Sequence, residues 1–311
     1  MNPSNDNNGN RELIRAWISA FRPRTLFLAA AGVILGSGLA LHVNKFDLST
    51  ALLTLITALL LQLLSNLAND LGDYVKGTDQ TGKRLGPTRS VQSGIIQPYQ
   101  MKIGIGITAL ITMVSGLILL LRLFHTIGLV AIVVFIIVGF FSLLAALFYT
   151  LGSRPYGYKG WGDFFAFLFF GPIAVVGTYY LQTQMIDLRS LFPSIGMGIL
   201  SSMILNINNM RDIENDFKSD KRTIAVRLGL PYARIYHTVL MLTMHVSFLV
   251  YSLAYASSPW YRFAYMIIYL FQATLLSQIF KKEGKELDAY LSKTALSAFL
   301  ISLLFSICIN V

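Results

Sequence analysis

The sequence predicts an all-α polytopic membrane protein that crosses the bilayer nine times. Three observations carry this. Of 311 residues, 55% are hydrophobic and only 13% charged, where a soluble domain carries about 25% charged residues. Nine stretches hold no Asp, Glu, Lys or Arg. Lys and Arg gather on alternate connections between those stretches.

The elements follow in order. Residues 1–10 are polar and read as disordered. In residues 11–22, Ile14, Trp17, Ile18 and Phe21 fall at helical spacing with Arg11, Arg15 and Arg22 between them. That pattern predicts a short interfacial helix, and no small-residue cleavage site follows it as in a signal peptide. Pro23 then opens the first span. The uncharged stretches are Thr25–Asn44, Leu48–Asn69, Ile103–Leu121, Leu123–Ser153, Phe164–Ile186, Ser190–Met210, Ile235–Tyr261, Phe263–Phe280 and Thr294–Val311, each 18 to 31 residues long. A helix needs about 20 residues to cross the hydrocarbon core, and unpaired backbone groups exclude open strands there. Residues 1–311 therefore read as one integral-membrane domain.

The basic residues orient it. The N-terminus and the connections after spans two, four, six and eight hold 21 of the 25 Lys and Arg; the opposite side holds Lys45, Arg122, Arg189 and Arg262. The positive-inside rule places the N-terminus and these loops in the cytoplasm and the C-terminus outside, in a multi-pass cell (inner) membrane protein. The net charge of +10 thus tracks topology, and nothing points to a nucleic-acid partner. Cys308 is the single cysteine and can build neither an internal disulfide nor a zinc cluster. His237 and His245 lie in one span and read as packing residues. Gly32, Gly36, Gly38, Gly104 and Gly106 read as points of close helix approach.

Seven of the 15 acidic residues fall in two clusters, each directly after a long apolar stretch. The first runs from Asn66 and Asn69 through Asp70 and Asp73 to Asp79; the second from Asn208 through Asp212, Glu214 and Asp216 to Asp220. Four crossings separate them, so both lie on the same face, and the arrangement resembles an internal duplication with its site at the interface of the halves. On a helix, Asp70 and Asp73 share a face, as do Asp212 and Asp216, with Asn66 and Asn208 one turn earlier. Oxygen-only donors suit magnesium, which binds through a few carboxylates and the phosphates of its substrate. Lys76, Lys83, Arg84 and Arg89 follow the first cluster, and Lys218, Lys221, Arg222 and Arg227 the second; such bases clamp phosphate.

These residues resemble the UbiA superfamily of intramembrane prenyltransferases, and within it the branch that prenylates 1,4-dihydroxy-2-naphthoate in menaquinone synthesis. Ser65–Asp73, Arg154–Asp163, Asn208–Asp216 with Lys221–Thr223, and the opening Trp17–Arg24 carry the resemblance, which extends over nearly the whole chain. It implies a nine-helix bundle around a central cavity, with Mg2+ holding the diphosphate of a polyprenyl diphosphate donor. Carried over by position, Asp70, Asp73, Asp212 and Asp216 are catalytic metal ligands, with Asn66 and Asn69 in the first arm. Lys76, Arg89, Asn208, Lys221 and Arg222 are then substrate contacts. Two positions depart from the pattern: Gly77 stands where many relatives carry a further Asp, which makes Asp79 the substitute metal ligand, and Asp220 stands where relatives carry Gly.

The implied reaction transfers the polyprenyl group with loss of carbon dioxide to give demethylmenaquinone. An allylic cation needs a dry pocket with aromatic faces. Tyr149, Tyr156, Tyr158, Trp161, Phe164 and Phe165 are candidates, with Tyr149 and Tyr156 preferred. Arg154 and Lys159 are the candidate contacts for the acceptor carboxylate. The alternatives are another acceptor (4-hydroxybenzoate, homogentisate or haem) or a cation-coupled transporter, whose site would lie at broken helices near the midplane.

Overall fold

A computed structural model describes residues 3–82, 84–255 and 259–311, and among these every regular element is helical. Lys83, expected among the phosphate-clamping bases, lies outside the described residues. Helices α1 (Pro3–Phe21), α2 (Pro23–His42), α3 (Leu48–Val75), α4 (Pro98–Arg122) and α5 (Phe124–Phe148) form the first half of the bundle. The fifth crossing is built from α6 (Gly162–Leu168), a π-helical segment (Phe169–Val176) and α7 (Gly177–Thr183). Then come α8 (Leu191–Arg211), the short α9 (Ile213–Lys218), α10 (Ile224–Tyr255), α11 (Ile267–Ile279) and α12 (Asp288–Cys308).

Local chemistry sets the ends. Asp47 caps α3 by accepting from the Thr50 amide at 2.7 Å, and Gln97 with Gln100 closes a capping box before Pro98 at the start of α4. Arg22 takes a left-handed conformation, φ 48°, between α1 and α2, so the amphipathic helix turns sharply into the first span. Helix α1 buries Ala16 and Ala20, packs Trp17 against the α3–α4 core, and leaves Ile14 and Ile18 outward. It starts at Pro3, so residues 3–10 continue the helix where the sequence suggested disorder, and residues 1 and 2 lie outside the described residues.

Eight helical stretches among the described residues are long and apolar enough to cross a membrane. The stretch that falls short of the nine expected is Phe263–Phe280. Its α-helical part, α11, has 13 residues, and a 3-10 turn at Trp260–Met266 precedes it. A 3-10 turn rises about 2.0 Å per residue against 1.5 Å for an α-helix, so together they reach roughly 34 Å and still complete a crossing.

Lipid gives helices little hydrophobic reason to associate, so packing and satisfied hydroxyls hold the bundle. The main core joins α2, α8, α10 and α12 through Leu35, Leu39, Met197, Leu200, Phe248 and Phe305. Buried hydroxyls return to carbonyls one turn back, as Thr178 does to Ala174 at 2.6 Å and Ser306 to Ser302 at 2.7 Å. His245 bonds Gln272 at 2.7 Å and stacks on Tyr269, while His237 is buried in the core of α10; both serve packing, as does the buried Cys308.

Helix α2 meets the π-helical segment through Gly36. A Cβ there would stand 2.5 Å from the Val175 carbonyl oxygen, so only glycine allows this approach. Pro172 lies inside the π segment and has no N–H to give; the wide turn absorbs that loss and leaves Phe169, Phe170 and Ile173 lining the interior. Gly36→Ala is therefore expected to destabilise the bundle by about 1–3 kcal/mol through overpacking, read as a lowered melting temperature of the detergent-purified protein.

Candidate active site

A cavity of about 750 Å³ opens at the bundle end where α3 and α8 finish and where α2 and α12 begin. Its depth is apolar, along α4, α5 and the fifth crossing, and its mouth carries the charges. Both acidic clusters lie at this end of the bundle, as their parity of crossings predicted: Asp70, Asp73 and Asn208 line the cavity, while Asp79, Asp212 and Asp216 lie off the lining, paired with the lining residues Arg84, Arg89, Arg211 and Lys221. The segment that follows the first cluster touches the second: Thr81 donates its hydroxyl to Asn215 Oδ1, and the Leu85 amide donates to Asp212 Oδ1 at 3.3 Å.

In the first arm, Asp70 and Asp73 both lie on the last turns of α3 and both are buried, but they face different partners. Asp70 accepts the amides of Ser90 and Val91 at 3.1 and 3.2 Å. Asp73 meets Arg89 at 2.5 Å and accepts the Tyr158 hydroxyl at 2.7 Å. Asp79 sits on the 3-10 turn Thr78–Gln80, 3.4 Å from Arg84 and 3.5 Å from Arg89, with no hydrogen bond to either oxygen. Burial pushes the Asp79 carboxyl up despite these two arginines. Burial works to lower Arg89, but Asp73 and Asp79 outweigh it and raise its pKa. Burial and the neighbouring Arg89 bring Arg84 down to about 10.

The second arm is bent. The i, i+4 pair was expected on one continuous helix, yet α8 stops at Arg211 and α9 starts at Ile213. Asp212 is the hinge, and the Asp216 amide still donates to its carbonyl at 2.8 Å. Arg211 donates to both Asp212 oxygens and, against burial, holds that carboxyl below its ordinary value. Asp216 pairs with Lys221 at 3.4 Å and leaves Oδ2 buried without a hydrogen bond. Burial wins there and carries Asp216 up to about 6.

Among the described residues, no three His, Cys, Asp or Glu side chains converge into a metal cluster. A hard divalent ion does not require one, because magnesium keeps waters and takes substrate phosphates as ligands. Buried carboxylate oxygens without hydrogen bonds on Asp79 and Asp216, and a donor set made of oxygen alone, fit such an ion.

The other expected residues divide. Asn69, Asn208, Arg89, Lys221, Tyr149 and Tyr156 line the cavity. Asn66 lines it too, but its amide is spent on the Phe21 carbonyl and Thr25 hydroxyl, each at 2.8 Å, which fixes the α1–α2 corner. Lys76, Arg154, Lys159 and Arg222 are exposed and lie off the cavity lining. Lys76 reaches the Ser153 carbonyl at 3.3 Å and Arg222 pairs with Asp220. These flexible bases follow the charge rule for this face rather than the site. Asp220 has φ 55° and an exposed side chain, so it occupies a left-handed turn that favours glycine and lies off the cavity lining.

Tyr149 and Tyr156 meet edge to face at 5.3 Å, and Tyr156 packs on Phe165 at 4.3 Å, which gives the cavity an aromatic wall below the charges. Trp161 and Phe164 point outward, 56% and 50% exposed. The sequence reading missed four cavity-facing groups: Arg22, whose Nη2 is buried without a partner, Arg24, Arg211 and Asp288. Arg22-Pro23-Arg24 before a span carries a signal, but basic charge at this face is also what topology demands. Among the described residues, the π-helical break in the fifth crossing presents apolar side chains to the cavity, unlike the ion-coordinating breaks of a cation-coupled transporter.

The model of the UbiA prenyltransferase family matches residues 25–304. The chain is 41% identical to a 1,4-dihydroxy-2-naphthoate octaprenyltransferase of Escherichia coli (strain K12), over 94% of each chain. It is 38% identical to the protein of the same description from Haemophilus influenzae, covering 95% of this chain and 96% of that one. Its fold is similar to a solved UbiA homolog from Archaeoglobus fulgidus bound to GPP and Mg2+, with a TM-score of 0.62 at 14% identity, over 95% of this chain and 100% of that chain.

The two Asp70 contacts make a further prediction. Asp70→Ala should speed hydrogen exchange at the Ser90 and Val91 amides by at least about tenfold in metal-free protein, since a hydrogen bond to a charged acceptor contributes roughly 1.5–3 kcal/mol. Mass-spectrometric exchange on peptides covering residues 84–96 reads it, and unchanged protection would remove the anchoring role.

Proposed function

The chain belongs to the UbiA prenyltransferase family, and on that premise we propose that it transfers a polyprenyl group from polyprenyl diphosphate to 1,4-dihydroxy-2-naphthoate. Carbon dioxide is lost, and the product is demethylmenaquinone in its quinol form. The observation that carries the acceptor is the 41% identity, over nearly the whole of both chains, to a protein described by that activity.

Asp70, Asp73, Asp212 and Asp216 are the carboxylates that would hold magnesium, with Asp79 in reserve behind Arg89. Magnesium, when bound, supplies positive charge to the diphosphate oxygens as the allylic C–O bond breaks. Arg89, Arg84, Arg211 and Lys221 supply the remaining charge and orient the leaving group. Tyr149, Tyr156 and Phe165 turn ring faces and edges toward the space below it, where an allylic cation is stabilised by aromatic faces in a dry setting. The naphthoate ring carbon that bears the carboxylate bonds to the first prenyl carbon. That carbon then releases carbon dioxide, the electron pair of the broken bond restores the aromatic ring, and diphosphate departs. Arg22, with its buried Nη2 free of any hydrogen bond, replaces Arg154 and Lys159 as the contact for the acceptor carboxylate, because it lines the cavity.

The positive-inside count supports placing the mouth at the cytoplasmic face of the inner membrane, with the C-terminus outside. Both substrates then reach the charged end directly, while the prenyl tail lies along the apolar depth of the cavity and the lipid bilayer.

Purified protein with magnesium, farnesyl diphosphate and carboxyl-labelled 1,4-dihydroxy-2-naphthoate is expected to yield a prenylated naphthoquinol and labelled carbon dioxide in equal amounts. Product without released label would exclude this acceptor chemistry. Asp73→Ala and Asp212→Ala are each expected to lower the rate by roughly 10²–10³-fold, the scale for losing one preorganised electrostatic group, with membrane insertion intact; full activity in either rejects the assigned arms.

The raised carboxyl of Asp216 sets a pH dependence. It is neutral below about 6, so magnesium binding with pyrophosphate should weaken as pH falls from 7.5 to 5.5 and displace a proton near pH 6. Calorimetry in buffers of different ionisation heat measures that proton. Asp216→Asn should bind more weakly and lose the proton release.

A further inference from the structure

One cation at the cavity mouth joins two carboxylates from different helices, and only one of them belongs to an acidic arm. Arg211 ends α8 with its side chain 4% exposed. Its Nη2 donates to Asp212 Oδ2 at 2.5 Å and to Asn208 Oδ1 at 2.8 Å, and its Nε to Asp212 Oδ1 at 3.3 Å. Its Nη1 donates to Oδ1 of Asp288, the first residue of α12, at 2.6 Å. The other Asp288 oxygen lies 3.4 Å from Arg24 Nη1, which also donates to Ser292 Oγ at 3.0 Å. The loop after α3 crosses directly over the guanidinium, since a Cβ on Gly86 would stand 2.7 Å from Arg211 Nη2. Arg211 is therefore confined, and its carboxylate partners are Asp212 and Asp288.

As it stands, Arg211 occupies both oxygens of Asp212. Asp212 has to share or surrender those bonds before it can serve a divalent cation. A buried guanidinium left without a counter-charge is strongly disfavoured, so Asp212 is free to turn only if Arg211 keeps another carboxylate. Asp288 is that carboxylate. It approaches from the opposite side, holds a different nitrogen, and lies on an element that carries none of the acidic clusters.

We infer that Asp288 is a positioning residue for the metal–diphosphate site: the standing counter-ion of Arg211 that releases Asp212 to magnesium. The inference rests on the magnesium–diphosphate reading above. Asp288 acts through Arg211 and contacts no reacting atom. Once Asp212 turns, Nη2 of Arg211 is left at the mouth, bonded to Asn208 and directed to a phosphate oxygen. Arg24 competes for Asp288 from the rim, where it is half exposed.

The test titrates full-length, detergent-purified protein with magnesium in saturating inorganic pyrophosphate, followed by calorimetry. Asp288→Asn leaves Arg211 with Asp212 as its one carboxylate, so magnesium should bind roughly tenfold more weakly, the low end for loss of a ligand's supporting partner, and Asp288→Glu should recover to within about twofold. Arg24→Gln removes the competitor and should leave magnesium affinity unchanged or tighter. A clasp that merely steadied the mouth would weaken binding in Arg24→Gln as much as in Asp288→Asn. That outcome overturns the inference, and so does wild-type affinity in Asp288→Asn. If a thermal melt shows that Asp288→Asn does not fold, Arg24→Gln and Asp288→Glu decide by the same criteria. Wild-type protein that binds no magnesium with pyrophosphate instead rejects the underlying reading and the inference with it.

Discussion

The mouth of this bundle depends on Arg89. It is drawn out of water to meet Asp73 at 2.5 Å and Asp79 at 3.5 Å, and it also donates to the Asn69 carbonyl. Each buried ion loses several kcal/mol of hydration, which only close opposite charges and hydrogen bonds offset. Satisfying Arg89 folds the segment after α3 back over the end of its own helix. Asp70 completes that return by taking the Ser90 and Val91 amides. The same folding brings Leu85 against Asp212 and Thr81 against Asn215, so the second acidic arm is held in place by the order imposed on the first.

Below the mouth the constraint changes from charge to space. Gly36 lets α2 lie against the π-helical segment, and Gly38 lets it lie against Ser306 of α12. With those contacts closed, the bundle stays apart on the side of α4, α5 and the fifth crossing, and the cavity occupies that gap. The π turn at Pro172 presents Phe169, Phe170 and Ile173 to the interior. Charged rim and apolar depth therefore form one continuous site, which suits a molecule with a diphosphate at one end and a hydrocarbon at the other.

The acidic positions were legible because carboxylates are rare in this chain and cluster only at span ends, where topology does not call for them. Their division of labour was not legible. Asp70 and Asp73 are three residues apart on one helix, yet one anchors a loop while the other pairs with Arg89. The bases were harder still. Arg89 and Lys76 carry the same positive-inside signal, but Arg89 lines the cavity and Lys76 lies outside it. Arg22 and Asp288 are 266 positions apart in the chain, and no local spacing marks them as neighbours of one mouth.

By itself the sequence determined the helical membrane fold, the parity of the crossings and the common end of both acidic clusters. Those properties follow from hydropathy and charge counted along the chain, which require no knowledge of what packs on what. Only the tertiary structure decided which carboxylate faces which cation, where α8 breaks, and that Asp220 turns to solvent with φ 55°. These depend on distances between segments far apart in the chain, and on which buried charge finds its counter-ion first.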